Sequence, residues 1–145
     1  MIKLVRLDYR LLHGQVVFSW TGHVGAQRII VVDDDAANDE MKKSALLLSK
    51  PAGVRVNIFT VDKAIAKMPK VEQLDEKIMM IFGNTAALLK FCQAYPKIKE
   101  INYGAVANKP GSVAFDQSVF LTRPTPRSCW IWALRSTASR PPPLR

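Results

Sequence analysis

The chain reads as an α/β protein, a three-layer domain with a mostly parallel open sheet and helices on both faces. Two observations predict this class. Short apolar runs alternate with stretches of helical periodicity up to about residue 104, and the connections between them are brief. One run, Arg28-Ile29-Ile30-Val31-Val32, is apolar without alternation, as strands covered on both faces are. A length of 145 residues allows one real core, and 48% hydrophobic with 23% charged residues is ordinary for a globular domain.

The elements follow in order. Ile2 to Leu7 is a strand. Gln15 to Val24 is a helix, with Val16, Val17 and Trp20 at helical spacing. Arg28 to Val32 is the second strand. Asn38 to Ser49 reads as one helix, with Met41, Ala45 and Leu48 on one face, Lys42 and Lys43 on another, and Pro51-Ala52-Gly53 as its stop. Val54 to Thr60 is a strand, Val61 to Met68 a short helix ended by Pro69, and Lys77 to Phe82 a fourth strand. Asn84 suits the N-cap of a helix from Thr85 to Tyr95. Pro96 closes that helix, and Lys99 to Tyr103 is a fifth strand. Ligand sites in such sheets lie at the carboxyl ends of the strands. The loop after the first strand, Asp33-Asp34-Asp35, Gly83-Asn84 and Gly104-Ala105 should therefore share one rim.

The character changes after Leu121. Thr122 to Arg145 holds five of the nine prolines and five arginines but no lysine, whereas the preceding residues hold twelve lysines and four arginines. We divide the chain into a domain of residues 1–121 and an atypical Arg/Pro-rich tail of residues 122–145. A shifted reading frame explains so abrupt an exchange of lysine for arginine; a disordered basic tail is the alternative. An intact frame across the Leu121 codon, with the same peptide encoded in close relatives, would overturn the first explanation. The formal charge of +9 invites a nucleic-acid reading. Without the five tail arginines, however, sixteen basic residues face twelve acidic ones, and the lysines are dispersed among acids. A mildly basic solvated surface fits better. No run approaches the ~20 apolar residues that span a bilayer. Met1 to Arg6 lacks the apolar core of a signal peptide. Cys92 and Cys129 have neither redox nor metal spacing, so a cytoplasmic location is expected.

The chemistry concentrates in Asp8-Tyr9-Arg10-Leu11-Leu12-His13-Gly14-Gln15-Val16. An imidazole with an unperturbed pKa near ~6.5 is a competent nucleophile at neutral pH. Gly14 and Gln15 supply backbone N–H groups at a helix start, which suit an anion. Arg10 offers a planar fork to phosphate. Asp8 could fix the imidazole tautomer or hold Arg10. Nucleophile, cationic clamp and amide donors together fit a histidine that accepts and releases a phosphoryl group. A histidine that merely packs at a strand–helix turn is the structural alternative, and His23, near a helix end without a neighbouring arginine, is read that way. No Walker-type loop or Gly-x-Gly-x-x-Gly is present, so no nucleotide cofactor is expected. Two histidines ten residues apart make no zinc site. Asp33, Asp34 and Asp35 could bind a metal but suit helix capping better, and Cys92 reads as core.

Asp8 to Val16 resembles the phosphorylation-site loop of the IIB components of the mannose/fructose/sorbose class of the bacterial sugar phosphotransferase system. Trp20, Arg28 to Asp34, Lys43-Ser44, Pro51 to Val54, Phe82-Gly83-Asn84 and Ile101 to Gly104 follow in family order, so the resemblance runs from Met1 to about Leu121. It implies a phosphohistidine–sugar phosphotransferase that needs no cofactor or metal. His13 would take a phosphoryl group on Nδ1 from a IIA partner and pass it to a sugar bound in the membrane IIC and IID components. The resemblance assigns His13, Arg10 and Asp8 to catalysis and Gly14 and Gln15 to phosphate binding, with the protein peripheral to the membrane permease. Tyr9 replaces a commoner second acid, and Gly104-Ala105 stands where many members have two glycines. Arg123-Pro124-Thr125-Pro126 replaces an acidic, helix-forming continuation, so the last helix and strand would be absent and stability reduced. A non-transferring regulatory or binding domain of the same fold is the alternative. Mannose, fructose, sorbose and N-acetylgalactosamine are all open as the sugar, as is the oligomeric state.

Overall fold

The computed structural model describes residues 1–12, 15–98, 101–104, 112–116 and 119–122. The first strand, β1 (Ile2–Leu7), is followed by α1 (Gln15–Val24), β2 (Arg28–Val32), α2 (Asp34–Asn38), α3 (Glu40–Leu48) and β3 (Arg55–Phe59). Then come α4 (Val61–Glu72), β4 (Ile78–Phe82), α5 (Thr85–Ala94) and β5 (Asn102–Tyr103). These five strands form one parallel sheet in the order β3-β2-β4-β1-β5. A separate antiparallel pair, β6 (Ser112–Asp116) and β7 (Val119–Thr122), follows; the sequence reading placed no strands there. The tail from residue 123 lies outside the described residues, as do Cys129 and Ala105.

The sheet separates two cores. Val5, Leu7, Ile30, Val32, Met80 and Phe82 pack against α4 and α5. Ile29, Val31, Met79 and Ile81 pack on the other face with Val17 and Trp20 of α1, Ala36 and Leu46. Period-two alternation along buried parallel strands serves both layers with apolar side chains, which explains the unbroken apolar runs of β2 and β4. The chain leaves β1 to one side of the sheet and leaves β4 to the other. The carboxyl ends of these adjacent strands therefore flank the switch point where such folds place their ligands.

Three local details differ from the sequence reading. The expected helix over 38–49 belongs to two helices, because Asp39 is extended (φ −106°, ψ 107°) and its side chain accepts hydrogen bonds from Met41 N and Lys42 N. A fresh cap restarts the helix with its own rotation. Leu46 is thus buried, while Met41 and Leu48 of the apolar row face solvent. The helix α4 also runs through Pro69 to Glu72. An interior proline costs about 3 kcal/mol, but this one lies in the last turn and deprives only the Ile65 carbonyl of its donor. Burial of Met68 and Val71 beside it, worth roughly 1.5–3 kcal/mol each, offsets that cost.

Candidate functional site

The site is built on the end of β1. Alternation sends Val5 and Leu7 to the α4/α5 side and Leu4 and Arg6 to the α1 side. There the Arg6 guanidinium carbon lies 5.7 Å from the centre of the Trp20 ring. Arg6 is 1% exposed and Asp8, two residues on, is 2% exposed. A buried charge must be paired and hydrogen-bonded, and the two residues pair with each other: Arg6 Nη2 donates to Asp8 Oδ2 at 3.1 Å. Arg6 Nη1 donates to Asn102 Oδ1, the side chain that β5 presents directly opposite in register. Arg6 Nε makes no hydrogen bond among the described residues.

Asp8 holds a second arginine. Its Oδ1 accepts from the backbone N and the Nε of Arg10, both at 3.1 Å, and its Oδ2 accepts from Arg10 Nη2 at 3.1 Å. With the bond from Arg6, each carboxylate oxygen carries two hydrogen bonds among the described residues, which matches its acceptor capacity. Arg10 is gripped along its Nε–Nη2 edge, and its Nη1 makes no hydrogen bond among the described residues. The side chain is 40% exposed. Burial draws the Arg6 pKa below its usual value against the opposing pull of Asp8, whereas the hydrogen bonds that Arg10 donates to Asp8 raise that of Arg10. Both remain cations, so the Arg6–Asp8–Arg10 cluster carries one net positive charge.

The backbone around the cluster is held tightly. Asp8 N donates to Phe82 O at 2.9 Å, Gly104 N to Leu7 O at 2.7 Å, and Leu11 N closes a turn onto Asp8 O at 3.1 Å. Leu11 has φ 55°, a left-handed conformation unusual for a side chain of its size. Leu11 and Leu12 are nevertheless buried, Leu11 against the rim beside Gly83 and Asp33. Two glycines answer to close approach. A Cβ on Gly83 would stand 2.0 Å from Asp33 Oδ2, and one on Gly104 would stand 2.5 Å from Asp8 Oδ2 and 2.6 Å from Arg6 Nη2.

Of the residues selected from sequence, Asp8 and Arg10 are joined directly, and Gln15 opens α1. His13 and Gly14 lie outside the described residues. Of the two roles open to Asp8, the grip on Arg10 is seen among the described residues, and the other involves His13, which lies outside them. Asp33 caps α2 through Ala36 N at 2.8 Å, Asp34 accepts from Val61 N at 2.9 Å, and Asn84 caps α5 through Ala87 N at 2.7 Å. His23 stands edge-on to Trp20 at 5.8 Å, and Cys92 is buried in the core. Sequence reasoning missed Arg6 and Asn102, and placed Gly104 on the rim without its contact to the Arg6–Asp8 pair. An arginine inside an apolar strand, in phase with Asp8, was the available signal.

The profile of the phosphotransferase system sorbose-subfamily IIB component matches residues 2–125. The chain belongs to this family. It is a component of the phosphotransferase system of sugar transport, whose IIB members are phosphotransferases. The sorbose-specific EIIB component of Klebsiella pneumoniae is 35% identical over 120 residues, covering 83% of this chain and 73% of that one. The mannose-specific EIIAB component of Escherichia coli K12 is 33% identical over 82% of this chain, which spans 37% of that longer protein. The crystal structure of the IIBSor domain of the Klebsiella pneumoniae sorbose permease superposes with a TM-score of 0.80 at 34% identity, covering 86% of this chain and 77% of that one. The IIB chain thus shares the parallel three-layer fold with its relatives. No helix among its described residues is long and apolar enough to cross a membrane.

Proposed function

We propose that this IIB chain is a phosphocarrier that uses His13 as its phosphorylated residue. Nδ1 of His13 attacks the phosphorus of a phosphohistidine on a IIA partner. The donor's P–N bond breaks, its electron pair returns to the donor imidazole, and the proton displaced from His13 is balanced by the one the donor ring takes up. In the second transfer a sugar hydroxyl, held by membrane IIC and IID components, attacks the same phosphorus. The P–N bond to His13 breaks, and the ring takes up one proton for the one the hydroxyl loses. Arg10 neutralises the travelling phosphoryl oxygens through its Nη1 edge, Asp8 orients Arg10, and the backbone N–H groups of Gly14 and Gln15 receive the remaining charge.

One observation carries the reading: Arg10 is gripped on one edge by a saturated carboxylate and presents the other edge at the carboxyl end of β1. Family membership supplies the reaction class, and the EIIAB relative, whose name joins IIA and IIB, supports a IIA donor. The protein would then work in the cytoplasm, peripheral to the permease. Incubation with a radiolabelled phospho-IIA domain should yield an acid-labile, base-stable phosphate on the wild type and none on His13→Ala. Label persisting on His13→Ala would reject the site, and an unlabelled wild type would favour a non-transferring domain of the same fold.

A further inference from the structure

The cation that binds phosphate at the proposed site is Arg10, but its charge is already answered by Asp8. A carboxylate beside an anion site is a liability, since its own charge opposes the incoming phosphoryl oxygens. Asp8 is 2% exposed, so water cannot screen it. The buried Arg6 removes the liability. It donates to the same Oδ2 that Arg10 Nη2 uses, and it is the second cation of a cluster that would otherwise be neutral.

We infer that Arg6, acting through Asp8, is a positioning residue for phosphoryl transfer: it fixes the carboxylate that orients Arg10 and leaves the cluster one net positive charge. The inference rests on the phosphocarrier reading. Arg6 does not reach the rim; it is 1% exposed and lies beneath Trp20. Its geometry is over-determined for a residue that only fills space. One guanidinium nitrogen is held by Asp8, another by Asn102 from the neighbouring strand. Gly104 is confined to hydrogen because a Cβ there would press on both Asp8 Oδ2 and Arg6 Nη2. Its burial is also a poor way to gain stability. Arg6 Nε is a buried donor without a hydrogen-bond partner among the described residues, and replacing Arg6 by an apolar side chain of similar length is strongly costly only if it leaves a buried charge uncompensated. Asp8 would not be orphaned by that replacement, because Arg10 still holds both of its oxygens.

Arg6→Met therefore separates positioning from packing. The rate of labelling by a radiolabelled phospho-IIA domain should fall roughly 10- to 100-fold, the scale of a misplaced binding group, while the melting temperature stays within a few degrees of wild type. In an Arg10→Ala background the same substitution should slow labelling by less than it does in the wild type, because the part of its effect that orients Arg10 is gone and only the loss of one positive charge remains. Gly104→Ala, which keeps both charges and wedges them apart, should also slow labelling and carries the test if Arg6→Met does not fold. A folded Arg6→Met or Gly104→Ala protein labelled at the wild-type rate would overturn the inference. So would an equal loss from Arg6→Met in the wild-type and Arg10→Ala backgrounds, which would mean that Arg6 acts independently. A wild type that takes no label at all would instead remove the phosphocarrier reading, and the inference with it.

Discussion

Asp8→Ala should be the most costly single substitution at the strand end, and its cost can be worked from the hydrogen bonds it deletes. Asp8 accepts four: one from Arg6, two from the Arg10 side chain and one from the Arg10 backbone. The Arg10 side chain is 40% exposed, so losing its pairing costs at most about 1 kcal/mol. Arg6 is 1% exposed, and truncating Asp8 leaves its charge with a neutral amide as acceptor. Stranding a buried ion in this way costs roughly 3–5 kcal/mol. At about 4 °C per kcal/mol for a domain of this size, the melting temperature should fall by roughly 12–20 °C. Urea unfolding of wild type, Asp8→Ala, Arg6→Met and the double variant completes the cycle. Once Arg6 is gone, Asp8→Ala loses only the Arg10 contacts, so the two substitutions should couple by about 2–4 kcal/mol. An Asp8→Ala protein within 1 kcal/mol of wild type, or strict additivity, would refute Asp8 as the counter-charge of Arg6.

Leu11 adopts φ 55°, where alanine is strained by about 1–2 kcal/mol and glycine is not; Leu11→Gly should be at least as stable as Leu11→Ala in urea, and an alanine variant more stable by 1 kcal/mol would reject the left-handed turn. Gly83→Ala should cost about 1–3 kcal/mol by overpacking, since its Cβ would meet Asp33 Oδ2; the shorter capping residue in Asp33→Ser should recover part of that loss, and no recovery would contradict the contact. Hydrogen bonding from Arg28 holds the Glu76 pKa below its usual value, aided by the charges of Arg28 and Arg55. A depressed folded-state pKa stabilises fully above the unfolded carboxylate pKa, and the gain is lost as pH falls through the folded value. The melting-temperature gap between wild type and Glu76→Gln should therefore be constant near neutrality and narrow as the solution is acidified below the ordinary glutamate pKa of about 4.3; a gap that does not narrow on acidification would show that the pairing is not the cause.

Much of this was legible from local pattern. Ile2–Leu7, Arg28–Val32 and Gln15–Val24 were read with the bounds the structure gives, because continuous apolar runs and 3.6-residue spacing are strong signals. The break at Asp39 was missed because one extended residue resets a helix without interrupting its composition. The overrun at Pro69 was missed because a proline's penalty depends on what the turn behind it buries. Strand order was beyond reach: placing β4 between β2 and β1 is a choice among non-local pairings that no window of sequence contains. The site divides in the same way. Asp8 and Arg10 are two residues apart and were chosen together, whereas Asn102 lies 96 residues from Arg6 and enters only through the pairing of β1 with β5.

The division between fold and site explains why a charged cluster sits at the end of a strand. A carboxylate that orients Arg10 must be immobile, and immobility here comes from burial, from its hydrogen bond with Arg6 and from Gly104, whose missing side chain lets the chain leaving β5 approach it closely. Burial strips the carboxylate of water, so its charge would act on a nearby phosphoryl group almost unscreened. At roughly 8 Å and an effective dielectric near 20, one unit charge is worth about 2 kcal/mol, a rate factor of about thirty. A mobile, hydrated aspartate would avoid that penalty but would orient nothing. Pairing the fixed carboxylate with a second, equally fixed cation keeps the orientation and cancels the repulsion. The requirement for Arg6 thus follows from the requirement for a rigid Asp8, and the two should succeed or fail together in any variant that still folds.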